Sequence, residues 1–200
     1  MHLPTASSLF AMIARLLCVG FVLFAFTIQP AGASDWSQWR GDLRDGVAHD
    51  CPRLIESLPE HGLKPLWMST SIPSAGDGGW GSPIVWDGKL YLFVHMRTKL
   101  SVDALPKRQY PFLAEDKRGN MSPAEWAEYE VKRREEDRQL SHLFQYTEVV
   151  HCLDASTGAE IWKDTKPSVY TRFLHSGSPT IVDGRLYVLG AGRKARCLEA

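Results

Sequence analysis

The stretch "GSPTIVDGRLYVLG" (Gly177 to Gly190) has a near copy, "GSPIVWDGKLYLFV" (Gly81 to Val94), 96 positions earlier. Both open Gly-Ser-Pro, turn at Asp-Gly, place a basic residue after the turn and close on Leu-Tyr and apolar residues. Proline can open a strand because no ladder donor is needed there. Asp-Gly between apolar, β-branched and aromatic runs supplies the positive φ values of a tight hairpin turn. Each copy therefore reads as a two-stranded hairpin.

The likeness extends outward. "GLKPLW" (Gly62 to Trp67) precedes the first copy and "GAEIW" (Gly158 to Trp162) the second. Downstream, "HCLDASTGAEIW" (His151 to Trp162) is matched by "RCLEA" (Arg196 to Ala200). One unit thus reads as strand, Asp-Gly turn, strand, spacer, strand ending Cys-Leu-Asp/Glu-Ala, Gly turn and a strand carrying Trp. Four short antiparallel strands that cannot bury their own faces, with a Trp to pack between neighbours, describe one blade of a β-propeller.

The spacing needs one correction. Gly177 to Cys197 is 20 residues and Gly81 to Cys152 is 71, so the first unit carries 51 extra residues (71 minus 20), placed at Met96 to Tyr146. Without them the period falls to about 45 residues, an ordinary blade length. The insertion contains a helix signal. "SPAE" (Ser122 to Glu125) offers an N-cap, Pro at the first helical position and Glu at the third. "EWAEYEVKRREEDRQLSHLF" follows without a breaker. Glu128 with Lys132 and Glu130 with Arg134 stand at i,i+4. The middle is charged on every face, so it is expected to be solvated, with a partner-binding arm as the alternative. Trp126 and Tyr129 at one end, and Leu140, Leu143 and Phe144 at the other, are expected to pin it to the blade. The stretch before it, Arg97 to Asn120, reads as a long loop.

Composition bounds the rest. The 200 residues hold 23 Lys and Arg against 23 Asp and Glu. Arg15 is the only charged residue before Asp35, and "LLCVGFVLFAFTI" (Leu16 to Ile28) is followed by "AGA" (Ala31 to Ala33). That is the pattern of a secretory signal peptide over residues 1–33. Its apolar run is too short for a comfortable membrane span, and a retained anchor is the alternative. The expected product is exported, periplasmic or extracellular, with no stable membrane span after signal removal. Without Arg15 the balance is 22 against 23, which offers no basic footprint for nucleic acid. Cys51, Cys152 and Cys197 would remain, an odd number that closes no disulfide framework. Cys152 and Cys197 fall at the same place in successive units. Equivalent strands of packed sheets lie roughly 10 Å apart, too far for a disulfide, so both are expected as separate, largely buried thiols.

These units resemble the repeats of the PQQ-like β-propellers, the quinoprotein alcohol-dehydrogenase-like family. The signature "LDAxTGxxxW" is matched by Leu153 to Trp162, and "SPxxxDGxLY" by Ser82 to Tyr91 and Ser178 to Tyr187. "DWSQWRGDLRDGV" (Asp35 to Val47) is similar to the opening of exported bacterial members. The resemblance implies an all-β fold, an incomplete β-propeller of four-stranded antiparallel blades with a helical insertion in the first blade. Residues 34–66 would form an N-terminal clasp segment and 67–200 the N-terminal portion of a longer propeller. Trp39, Arg40 and Gly41 are expected to serve that clasp, with an anion-reading role for Arg40 as the alternative.

The family's dehydrogenases resemble one another in an adjacent cysteine pair and in Glu, Asn and Asp ligands for calcium beside the quinone. This chain has no Cys-Cys pair, and none of those ligands is matched residue by residue. The resemblance therefore implies a non-catalytic binding or scaffold module for a protein or small-molecule ligand, as in the outer-membrane assembly lipoprotein of this fold. The alternative is the N-terminal part of a PQQ-dependent alcohol or polyvinyl alcohol dehydrogenase, with PQQ and calcium bound only in a full-length propeller. No catalytic residue and no metal ligand is assigned. Asp154 with Thr157 and Gly158 reads as a turn cap, not a calcium loop. His151 and Cys152 alternate across a strand and cannot chelate together. In related propellers the approach to each first strand reaches the channel mouth, which here singles out Trp80 as a stacking floor and His175 as a polar contact for a cofactor or ligand.

Overall fold

The computed structural model describes residues 35–48, 51, 53–74, 78–100 and 104–200. The expected signal peptide, residues 1–33, lies outside them. Residues 35–48 and 56–200 form one compact unit; Cys51 and residues 53–55 fall outside it and are exposed.

Two antiparallel sheets and one α-helix make up this unit. The first sheet has the order β1 (Ile84–Trp86), β2 (Lys89–Lys99), β3 (Phe144–Asp154), β4 (Glu160–Pro167), and the second the order β5 (Thr180–Val182), β6 (Arg185–Gly190), β7 (Lys194–Glu199). Among the described residues no closed barrel or propeller forms, and the second sheet has three strands, not four. Both hairpins turn on Asp-Gly with positive φ, 48° and 69° at Asp87 and Gly88, 49° and 70° at Asp183 and Gly184. Their registers are the same residue for residue. Ile84, Val85 and Trp86 face Tyr91, Leu90 and Lys89; Thr180, Ile181 and Val182 face Tyr187, Leu186 and Arg185. The third strands agree too, since Tyr91 opposes Cys152 and Tyr187 opposes Cys197.

The faces that meet between the sheets are not equivalent ones. The core between them takes Ile84, Tyr91, Phe93, Val150 and Cys152 from the first sheet and Ile181, Leu186 and Val188 from the second. Position by position, the second sheet's counterparts of Ile84, Tyr91, Phe93 and Cys152 are Thr180, Tyr187, Leu189 and Cys197. Tyr187, Leu189 and Cys197 are exposed. The stacking is head to tail. Cys152 and Cys197 are separate thiols, as expected. Cys197 is not buried, however, because it stands on the second sheet's outward face while Cys152 stands on the first sheet's inward one. Burying the eight core side chains is worth roughly 1.5–3 kcal/mol for each large apolar one.

The repeated Gly-Ser-Pro motifs touch. Ser82 N donates to Ser178 Oγ at 3.0 Å, and a Cβ on Gly81 would lie 2.5 Å from the Gly177 carbonyl oxygen. Glycine stands there because two backbones approach closely. The segment Asp35–Ser37 ties the sheets together. Trp36 exchanges two backbone hydrogen bonds with Val85 on β1 (2.7 and 3.0 Å), and Ser37 O accepts from Ile181 N on β5 (2.8 Å). Arg40 sits in the following turn at φ 66°, its guanidinium over the Trp39 ring and its Nη2 donating to Asp45 O.

The insertion departs from expectation in three respects. β2 and β3 stay paired out to Lys99 and Phe144, so the excursion begins later and ends earlier than Met96 and Tyr146. Helix α1 (Pro123–Gln139) has the capping box of Ser122 and Glu125, Pro at its start and no buried residue. Lys132 pairs with Glu128 at 2.7 Å as expected, but Glu130 pairs with Arg133, not Arg134. Trp126 and Tyr129 do not pin the helix to the blade; they stack on each other and hold the preceding strap. Arg118 lies over Trp126, Tyr129 meets Tyr110, and Tyr129 OH donates to Pro111 O. Glu136 accepts from the backbone of Gln109 and Tyr110, which fixes that strap along the helix.

Candidate functional site

Trp80 and His175 both adjoin the same part of β2. Residues Gly79 and Gly81 bond to His95 and Phe93 across an isolated bridge at Trp80 and Val94. The Trp80 side chain is 48 % exposed, with its Nε1 donating to Ile72 O at 3.4 Å. The His175 ring packs edge-on against Phe93, and its backbone N donates to His95 Nδ1 at 2.9 Å. No hydrogen bond or ring contact joins Trp80 to His175 among the described residues. His151, whose ring faces Glu160 at 3.1 Å, and Cys152 point to opposite faces as expected. Asp154 Oδ1 accepts from the backbone and hydroxyl groups of Ser156 and Thr157, a turn cap. Those donors hold its carboxyl below the usual range, the Ser156 hydroxyl foremost.

A buried polar seam follows the apolar core along the same face of the first sheet. His95 on β2 and Glu148 on β3 oppose each other directly, 0 % and 3 % exposed. Glu148 accepts from Ala191 N (2.6 Å) and from the Ser168 hydroxyl (2.9 Å), and its other oxygen faces Arg196. Arg196 in turn reaches Asp164 at 2.8 Å. Glu148 thus joins β3 to the end of the second sheet, and a Cβ on Gly190 would strike its carboxylate. His95 Nδ1 is an acceptor, which places its proton on Nε2, a buried atom without a partner. Burial lowers the His95 pKa, Glu148 opposes this and His175 adds to it.

Beyond the seam the paired ends of β2 and β3 form the floor of a cleft of about 420 Å³. Arg97, Phe144 and Tyr146 come from the strands, Arg108 from the strap, Arg133 and Asp137 from α1, and Tyr170, Arg172 and Phe173 from the segment after β4. Leu105, Pro106 and Leu140 complete an apolar rim. The guanidiniums are held in place. Arg133 meets Glu130 (2.7 Å) and Asp137 (3.8 Å), Arg172 meets Glu130 (2.9 Å), and Arg108 meets Asp137 and Glu136. Arg97 lies over the Phe144 ring and Arg172 over Phe173. Burial raises the Tyr170 phenol above its ordinary value and Asp137 adds to this, while Arg172, Arg108 and Arg97 act against it. Neither Trp80 nor His175 lines this cleft.

None of these lining residues stood out in the sequence as a site. The signal for the seam was present as ionisable residues inside apolar strands, "LFVHM" and "YTEVVHC". The arginines of the cleft carry no local signal, since four separate stretches supply them. Among the described residues no three His, Cys, Asp or Glu side chains are grouped as metal ligands, and no helix is long and apolar enough to cross a membrane. No protein-family model matches the chain, and no curated protein or solved structure matches it.

Proposed function

We propose that the chain is part of an exported PQQ-like β-propeller module that acts by binding, as a scaffold or ligand carrier, without catalysis of its own. The observation that supports this reading is the head-to-tail stacking of two sheets of identical register. A two-sheet sandwich related by a two-fold axis would bury equivalent faces and satisfy both. Here non-equivalent faces meet, and the same arrangement repeated would lay further sheets on the outward face bearing Tyr187, Leu189 and Cys197, as blades succeed one another around an axis. The export signal at residues 1–33 and the Leu153–Trp162 signature belong to the same reading.

The test is the reactivity of Cys197 in the protein as purified from its own cells. Native-state alkylation should be at least tenfold slower than in denaturant, because a further sheet covers the thiol. Alkylation as fast as in the unfolded chain would sink the propeller reading. Titration with the quinone and calcium, followed by absorbance, addresses catalysis. No saturable spectral change is expected; a stoichiometric one moves the chain to the dehydrogenases.

A further inference from the structure

We propose that His95 is a proton-operated latch, which when neutral holds residues 168–176 against the cleft and when protonated releases them. Residues 168–176 follow β4 and contain no strand or helix. They carry Tyr170, Arg172 and Phe173, which form one wall of the cleft. At one end Ser168 N donates to Tyr146 O at 2.9 Å, and the Ser168 hydroxyl donates to Glu148. At the other end His175 N donates to His95 Nδ1 at 2.9 Å. Between those ends Tyr170 meets Tyr146 edge to face, Arg172 pairs with Glu130, and Phe173 is exposed.

The latch follows from where a second proton must go. The neutral ring accepts at Nδ1 and carries its proton on Nε2. Protonation therefore creates an N–H at Nδ1, facing the N–H of His175. Both are then donors, and the bond is lost. Glu148 is already engaged, its Oε1 by Ala191 N and the Ser168 hydroxyl, while its Oε2 faces Arg196. The Nε2 of His95 is buried without a partner. A charged ring in that position needs water, so one neighbour of His95 has to move.

Its neighbours are not equally free to do so. Glu148 and Tyr146 approach from β3, Arg196 from β7 behind Glu148, and His175 from the segment after β4. Arg97 stands two residues further along β2 itself, and Gly79 contributes the backbone carbonyl that accepts from His95 N. β3 is fixed by ladders to β2 and β4. Residues 169–176 belong to no ladder, so they yield. The burial of Leu174 and the packing of the His175 ring on Phe93 oppose release, which keeps the neutral form closed. In the closed form burial disfavours a charged His95, Glu148 opposes this and His175 adds to it. In the open form the ring regains the ordinary value of about 6.5. A fall in pH below that value therefore favours the open form, by up to about tenfold per pH unit until the closed-form value is reached.

Nuclear magnetic resonance of the whole purified protein between about pH 7.5 and about pH 5 tests this. The His95 ring and the His175 amide should titrate with one midpoint, and the Tyr170 and Phe173 ring signals should move with them. Hydrogen-exchange protection of the His175 amide, corrected for the intrinsic effect of pH, should fall at least tenfold over that range, while Tyr91 and Val150 keep theirs. His95→Asn keeps an acceptor oxygen in place of Nδ1 and cannot titrate. Its His175 amide should stay protected at both ends of the range, and that of His95→Leu should be unprotected at both. Should either variant misfold, the midpoints of ring and amide in the unaltered protein decide alone. A His175 amide indifferent to titration of the His95 ring, or Tyr170 and Phe173 signals that stay fixed, would overturn the proposal. So would an unchanged pH response in His95→Asn, or loss of protection at Tyr91 and Val150 in step with His175. None of these outcomes touches the Cys197 result, so the two readings fail separately.

Discussion

Gly81 and His95 show how single side chains set the geometry of this unit. A methyl group on Gly81 would lie 2.5 Å from a backbone carbonyl that cannot swing away. Gly81→Ala should therefore destabilise by roughly 1–3 kcal/mol through overpacking, read as a lower urea midpoint with an unchanged slope. A cost below about 0.5 kcal/mol would show that the two Gly-Ser-Pro motifs slide freely. His95 brings a pH dependence. Its folded pKa is depressed by burial, so the unfolded chain takes up a proton first as pH falls. The stability contributed by neutral His95 is full above the unfolded value of about 6.5 and declines as pH falls from there towards the folded value. The urea midpoint should drop between about pH 7.5 and about pH 5.5, and drop less in His95→Gln. Identical pH dependence in both proteins would assign the effect elsewhere.

Among the elements, the insertion is where sequence and structure part most instructively. In the second sheet three residues, Ala191 to Arg193, join β6 to β7. Alignment of the copies would put that turn in place of residues 95–148, but doing so removes His95 and Glu148 with the excursion. Closing β2 onto β3 with an Asn-Gly turn between Lys99 and Phe144 keeps both, and their register suits a two-residue hairpin. The shorter deletion should change stability by less than about 2 kcal/mol. Replacement of 95–148 by Ala-Gly-Arg should cost more, because Ala191 N loses its buried acceptor and Arg196 one of its two carboxylates. Chemical denaturation of the two variants compares them directly; equal losses would mean that Glu148 is not the tie between the sheets. The capping box and the breaker-free run made α1 readable in the chain. Its docking was not, since Glu136 and Tyr129 bind backbone groups of a strap whose path no periodicity records.

At the scale of the molecule, the turns, registers and strand order were legible because Asp-Gly and Cys-Leu-Asp/Glu recur with fixed offsets. The direction of stacking was not. A period-2 strand tells which residues share a face and is silent on which face meets which neighbour. Cys152 and Cys197 differ in burial for that reason, since identical positions of the two units stand on faces that meet different neighbours. The cleft was hidden by dispersion, with Arg97, Arg108, Arg133 and Arg172 separated by a strand end, a strap, a helix and a connecting segment.

The backbone of Asp35–Ser37 has one more implication, for the order in which the unit assembles. Trp36 bonds to Val85 and its neighbour Ser37 to Ile181, across sequence separations of 49 and 144 residues (85 minus 36 and 181 minus 37). Each hairpin forms from contacts close in the chain, whereas this segment has nothing to bind until both first strands exist. Long-range closures of that kind form late in folding. The clasp is therefore a latch on a finished stack, the last piece in and the first out. In native-state hydrogen exchange the amides of Trp36, Val85 and Ile181 should open together, at lower free energy than those of Tyr91 and Val150 in the first sheet. Protection of Trp36 equal to that of Tyr91 would make the clasp part of the folding nucleus instead.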